Sequence, residues 1–173
     1  DARGVARTVL RAFRGLDYVV APSGSCAGMI REHYPKLFAG EPEEAEAEAL
    51  ASRTWELISF LADVMKVERV ECHWPARATY HDSCSGLREL GIRQQPRQLL
   101  GSVEGLELVE MAEAEVCCGF GGTFCVKYPE ISDSIVSKKA ENIESSGAEL
   151  LMAGDLGCLM NMAGKLQRRG SRV

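Results

Sequence analysis

The chain has 173 residues, 46% of them hydrophobic and 26% charged, and its 20 basic and 25 acidic side chains leave a net charge of -5. This is the profile of an ordinary globular chain with room for one large domain or two small ones. Basic residues are scattered apart from Arg168, Arg169 and Arg172, which argues against a nucleic-acid footprint, and no apolar run approaches the roughly 20 residues that span a bilayer.

Residues 1–14 lack the apolar stretch of a signal peptide, which predicts a cytoplasmic chain. The chain also opens on Asp1 and enters a helical pattern at once, with Val5, Val9, Leu10 and Phe13 at helical spacing, as a fragment of a longer protein would. Asp17 to Ala21 is a short β-branched run ended by Pro22 and Gly24, a strand expected to deliver Cys26 to its carboxyl end, with a helix from Ala27. From Glu41 to Met65 the sequence is rich in Ala, Glu and Leu, with Leu50, Trp55, Leu57, Ile58, Leu61 and Val64 on the helical period. Pro42 and an acidic start suit the first turn of one long connecting helix, whose glutamates read as a solvated face.

Ala76 to His81 is the next predicted strand, leading through Asp82 and Ser83 to Cys84 and a short helix past Leu87 and Leu90. Gln94 to Leu100 reads as helix, Leu106 to Met111 as strand, and Cys117 to Gly122 (CCGFGG) as a glycine-rich loop. Pro129 opens a helix that Gly147 closes, Ala148 to Ala153 reads as strand, and Cys158 starts a last helix running through Leu166. Strands alternating with helices predict an α/β fold with a mostly parallel sheet, whose ligands gather at the carboxyl ends of the strands.

The segment around Cys26 and the segment around Cys158 share a layout of helix, Gly, short strand, polar turn, Cys and a Met-containing helix. That partial repeat predicts a pseudo-duplicated chain. Residues 1–40 would be the C-terminal half of a truncated first unit, 41–66 a connecting helix, and 67–173 a nearly complete second unit. Cys26 would then belong to a second, incomplete site.

Seven cysteines with a vicinal pair and no secretory signal fit a metal site better than a disulfide framework. Cys84 precedes the pair Cys117 and Cys118 by about 30 residues, and Cys158 follows after about 40 more. Adjacent cysteines are awkward ligands for one tetrahedral ion, whereas a polynuclear centre receives them on different metals. Gly119, Gly121 and Gly122 would let the backbone approach such a centre and aim N–H groups at its sulfur. The alternative is a zinc-binding structural or assembly module on the same thiolates. A dithiol redox enzyme on Cys117 and Cys118 is disfavoured by the missing two-residue spacer. His81 reads as a structural residue hydrogen-bonded beside the site. Cys72 reads as a small buried hydrophobe, and Cys125 as either packing or a spare thiol.

PSGSCAGM at Pro22–Met29, YHDSC at Tyr80–Cys84, CCGFGGTF at Cys117–Phe124, VKYPEIS at Val126–Ser132 and GCLMNMAG at Gly157–Gly164 together resemble the cysteine-rich CCG-domain family. That family includes the iron-sulfur subunit of glycolate oxidase and the CCG-containing subunit of heterodisulfide reductase, and the resemblance is nearest to its lactate-utilisation branch. It implies two CCG units, a [4Fe-4S] cluster, and electron transfer in oxidation of L-lactate to pyruvate beside other iron-sulfur and accessory subunits. Many CCG domains end in Cys-x-x-Cys, but here Leu159, Met160 and Asn161 follow Cys158, so a four-thiolate site is expected rather than a five-thiolate one.

Overall fold

Parallel strands flanked by helices make up the chain, which a computed structural model describes over residues 1–173. Helix α1 (Ala2–Ala12) leads to β1 (Val19–Ala21), followed by α2 (Gly24–Gly28), a π-helical turn over Met29–His33, and α3 (Tyr34–Leu37). The single connecting helix expected over 41–66 is not formed. Helix α4 (Glu44–Ser52) stops at Arg53, and β2 (Thr54–Glu56) follows, pairing parallel with β1 in the register Val19–Thr54 to Ala21–Glu56. The reason lies in β1, whose backbone groups are satisfied by a partner strand, a pairing that overrides the helical propensity of its surroundings. Thr54 is fully buried, and its Oγ1 donates to the carbonyl of Leu50 at 2.8 Å.

Glu56 corrects the expectation of a solvated acidic face, since it is buried and its Oε2 accepts the N–H groups of Ile58 and Ser59 at 2.9 and 3.0 Å. This caps the short α5 (Leu57–Ser59), which runs into a second π-helical turn over Phe60–Val64. Burial raises the Glu56 carboxyl above its ordinary range.

The larger sheet is built on β3 (His73–His81), with β4 (Glu104–Leu108) on one side and β5 (Leu150–Ala153) on the other, all parallel. The turn after β3 is π-helical over Ser85–Glu89, and α6 (Gln94–Gly101) connects to β4. Strand β4 begins two residues earlier and ends three earlier than the sequence pattern predicts. The short α7 (Phe124–Lys127) and α8 (Pro129–Ser145) return the chain to β5, and α9 (Leu156–Arg168) follows. Gly147 closes α8 with φ of 69°, the left-handed conformation that glycine adopts without penalty.

Two cores result. Leu10, Val19, Tyr34, Phe38 and Leu50 form the first, and Met111, Cys118, Val136, Ile143, Met162 and Leu166 the second. A polar seam joins the two halves. The N–H of Gly24 donates to the carbonyl of Gly154 at 3.0 Å, and Asp155 Oδ2 accepts from Ser23 Oγ and from the N–H of Ser25, both at 2.8 Å. No helix is long and apolar enough to cross a membrane.

Candidate metal centre

Strand β3 ends at His81, and the next three residues carry the chain into the first turn that bears Cys84. That segment is rigidly held. Buried Asp82 receives Arg97 in a two-pronged pair, Nη1 to Oδ1 at 2.9 Å and Nη2 to Oδ2 at 2.7 Å, while Arg97 also grips Glu110 at 2.6 Å. Such fork-to-carboxylate pairing fixes orientation as well as adding energy. It ties the carboxyl end of β3 to α6.

The loop after β4 delivers Cys117 and Cys118. Cys118 is part of the second core and almost fully buried, and its carbonyl accepts Asn161 Nδ2 from α9 at 2.9 Å. Gly119 has φ of 85°, and a Cβ there would lie 2.7 Å from the carbonyl oxygen of Ser132. Only glycine fits. Its N–H donates to Cys117 Sγ at 3.3 Å, and its carbonyl accepts Ser132 Oγ at 2.8 Å. Gly121 and Gly122 also have positive φ, 52° and 60°, so the chain curls around the thiols. Phe120 packs its ring over Gly157.

Cys158 stands in the first turn of α9, whose N-cap is Asp155. Its Oδ1 accepts the N–H groups of Gly157 and Cys158 at 3.0 and 3.3 Å, while Oδ2 is occupied by the seam to Ser23 and Ser25. Burial opposes ionisation of this carboxylate, but its donors outweigh burial and hold it below the ordinary range. An Asp just ahead of a helix is a recognisable capping signal, and it was available in the sequence.

All four predicted thiols, Cys84, Cys117, Cys118 and Cys158, line one cavity of about 260 Å³, together with Ser25, Ser83, Ser85, Phe120, Gly121, Gly122 and Asp155. The thiols fall into two interacting pairs. Close to Cys158 and His81, the Cys118 thiol is brought down to about 5, while Cys158 itself is pushed up. Burial and the neighbouring Cys117 push Cys84 up to about 11.

His81 stands behind the thiols and is fully buried, and neither ring nitrogen has a hydrogen-bond partner. The hydrogen bond expected of it finds no partner within the chain. Instead its ring nitrogen and the sulfurs of Cys118 and Cys158 all lie within 4.8 Å of one another.

Cys26 lies in the short α2, exposed, and is not among the residues lining the cavity. Cys72 is exposed rather than buried, because it belongs to the extended stretch before β3. Cys125 is partly exposed and its Sγ donates to the carbonyl of Gly122 at 3.1 Å. Sequence reasoning did not single out Arg97, Lys139, Asp155 or Asn161, all of which hold segments that carry the thiols.

The donor set suits a thiophilic metal centre. A single ion takes up no more room than one water, whose share of liquid volume is about 30 Å³, so a cavity of this size has space for a polynuclear group.

Residues 78–163 match the family described as "Cysteine-rich domain", CCG. The whole chain is 49% identical over 174 residues to "Lactate utilization protein A" of Geobacillus thermodenitrificans, covering 72% of that protein. It is 44% identical to the protein of the same name from Oceanobacillus iheyensis, covering 71% of it, and 43% identical to that of Lysinibacillus sphaericus, covering 76%. In each case the match spans 100% of this chain.

Proposed function

The chain belongs to the lactate utilization protein A family, and from that membership we propose that it is an iron-sulfur electron-transfer subunit of a complex that oxidises L-lactate to pyruvate. In this reading Cys84, Cys117, Cys118 and Cys158 hold a [4Fe-4S] cluster. The observation that carries it is the convergence of four thiols from three separate chain segments on a cavity with room for more than one ion. When bound, the cluster supplies a one-electron carrier, suited to taking singly the two electrons that lactate releases with two protons on becoming pyruvate.

The residues around the cavity have definable tasks. The surroundings of Cys118 favour its thiolate, and Gly119 aims its N–H at Cys117 sulfur. N–H groups directed at cluster sulfur raise a reduction potential. Phe120 and the second core keep water from the inner side of the site. The partners are a lactate-oxidising component and other iron-sulfur and accessory subunits in the cytoplasm. Cys26, by its place in the internal repeat, belongs to a second site, and residues 1–40, 41–66 and 67–173 are read as the parts of a duplicated chain.

The test is anaerobic purification followed by iron and acid-labile sulfide analysis. Cys117→Ser and Cys118→Ser are expected to lose most of the iron and the brown colour, because a harder oxygen donor holds iron poorly in such a centre. Cys72→Ser is expected to keep both. Stoichiometric zinc with no labile sulfide, or variants at 117 and 118 that retain their iron, would overturn the reading. One observation favours zinc as a second reading, namely the compact group of His81, Cys118 and Cys158, three donors of the kinds found in structural zinc sites, one short of the usual four.

A further inference from the structure

Lys139 lies on α8 and is 2% exposed. A lysine so deeply buried is rare unless its charge is compensated, since removing an ammonium from water costs several kcal/mol. Its Nζ donates to the carbonyls of Glu113 and Ala114, the latter at 3.4 Å. Carbonyl oxygens solvate the ammonium but carry no net charge. It takes part in no carboxylate ion pair of its own. The Glu113 carboxylate is engaged by the neighbouring Lys138 at 3.0 Å and by Asn142 at 3.3 Å, at the exposed rim.

The carbonyls that hold Lys139 belong to the loop that carries the vicinal thiols. Lys139 lines a cavity of about 200 Å³ together with Cys117, and its neighbour Ala140 packs in the same core as Cys118. Burial lowers the Lys139 ammonium, and the charges that act against that loss are Cys118 first, then Glu113, Cys117 and Cys84. Three of the four are thiols of the candidate centre.

We propose that Lys139 is the counter-charge of the thiolate centre, a fixed cation that anchors the carbonyls just ahead of Cys117 and raises the centre's reduction potential without touching it. This rests on the metal-centre reading above and adds to it the residue that offsets its negative charge. The reasoning is electrostatic. Four thiolates make the loaded site anionic, reduction adds one more negative charge, and a cation held in a medium of low effective dielectric favours the more negative state.

The experiment compares Lys139→Met, Lys139→Gln and Lys139→Arg in the full chain, reconstituted anaerobically with iron and sulfide. Iron content and the midpoint potential are measured by a reductive titration followed optically. Lys139→Met is expected to favour reduction about tenfold less, or about 59 mV lower for one electron, while Lys139→Arg keeps the parent potential. Lys139→Gln still donates to the carbonyls without charge, so it is expected to follow Met. A Gln variant with parental iron and parental potential would overturn the proposal, and so would iron lost equally from Arg and Gln, which marks a mechanical anchor. Iron lost from Gln and Met but kept by Arg supports it. Should Met fail to fold, Gln decides alone.

If the parent chain holds zinc and no sulfide, the cluster reading fails on that result. The counter-charge is then read from zinc affinity by chelator competition. About tenfold weaker binding in Gln, with Arg unchanged, supports it, and equal affinity in all three overturns it.

Discussion

At the residue scale the centre depends on backbone conformations that one side chain allows. Gly119 and Gly122 both have positive φ, yet they differ in what surrounds them. A Cβ on Gly119 would meet a backbone oxygen at 2.7 Å, whereas one on Gly122 would meet nothing within 4 Å. Gly122→Ala is therefore expected to cost only the handedness penalty of about 1–2 kcal/mol. Gly119→Ala adds displacement of the Ser132 carbonyl, and is expected to lose more stability and most of its bound iron. Urea midpoints and iron analysis of the two variants check this, and equal behaviour would show that the close approach is not what matters. The thiols themselves were legible from the sequence because cysteine is chemically conspicuous. Lys139 and Asn161 were not, because an ordinary Lys and Asn on amphipathic helices read as solvent-facing residues until the fold turns them inward. Nothing in the neighbourhood of His81 predicted that both its nitrogens would be buried without partners.

At the element scale, helices with clear start and stop residues were the most legible. Pro129 and Gly147 bracket α8 within two residues of its ends, and the strand at Ala76 to His81 appears where its β-branched and aromatic residues put it. Strand β2 was hidden because three residues inside an Ala- and Glu-rich run carry too little local signal, and the decisive interaction is with β1 some 35 positions away in sequence. Strand β4 starts early because Glu104 pairs with His73 across a register shift, beside which Gly105, at φ of 81°, lies close to Pro75. Helix α9 gives the sharpest test at this scale, since Asp155 both caps it and fastens it to the first sheet. Asp155→Asn keeps an oxygen for the cap but turns an amide NH2 toward the N–H of Ser25, so it gives up the seam and is expected to lose about 1–3 kcal/mol. Asp155→Ala removes the cap and the seam bonds together, with an expected loss of about 2–4 kcal/mol. Chemical unfolding measures both, and an Ala variant as stable as Asn would mean that the cap contributes nothing.

At the scale of the whole molecule, two parallel sheets with separate cores share one polar seam, and that seam borders the thiol cavity through Ser25 and Asp155. Filling the cavity therefore stabilises a surface to which both halves contribute. Its pH dependence has a definite sign. Cys84 and Cys158 both have raised thiol pKa values, so at neutral pH they carry protons that a metal must displace. Raising the pH eases that competition and tightens binding, so the melting-temperature gap between loaded and metal-stripped chain is expected to widen from about pH 6.5 to 8.5. A gap that stays constant or narrows would contradict it, and scanning calorimetry at a series of pH values is the measurement. The seam has a further consequence for how the protein is made. Its bonds join residues 132 and 130 positions apart, whereas α1 through β2 are complete within the first 56 residues. On a ribosome the first core can close early, while Cys84, Cys117 and Cys118 emerge and wait for Asp155 and Cys158. At about 5–20 residues per second, that leaves nascent thiols unprotected for roughly 10 s, so on the metal-centre reading a complete donor set exists only once synthesis of the last helix has begun.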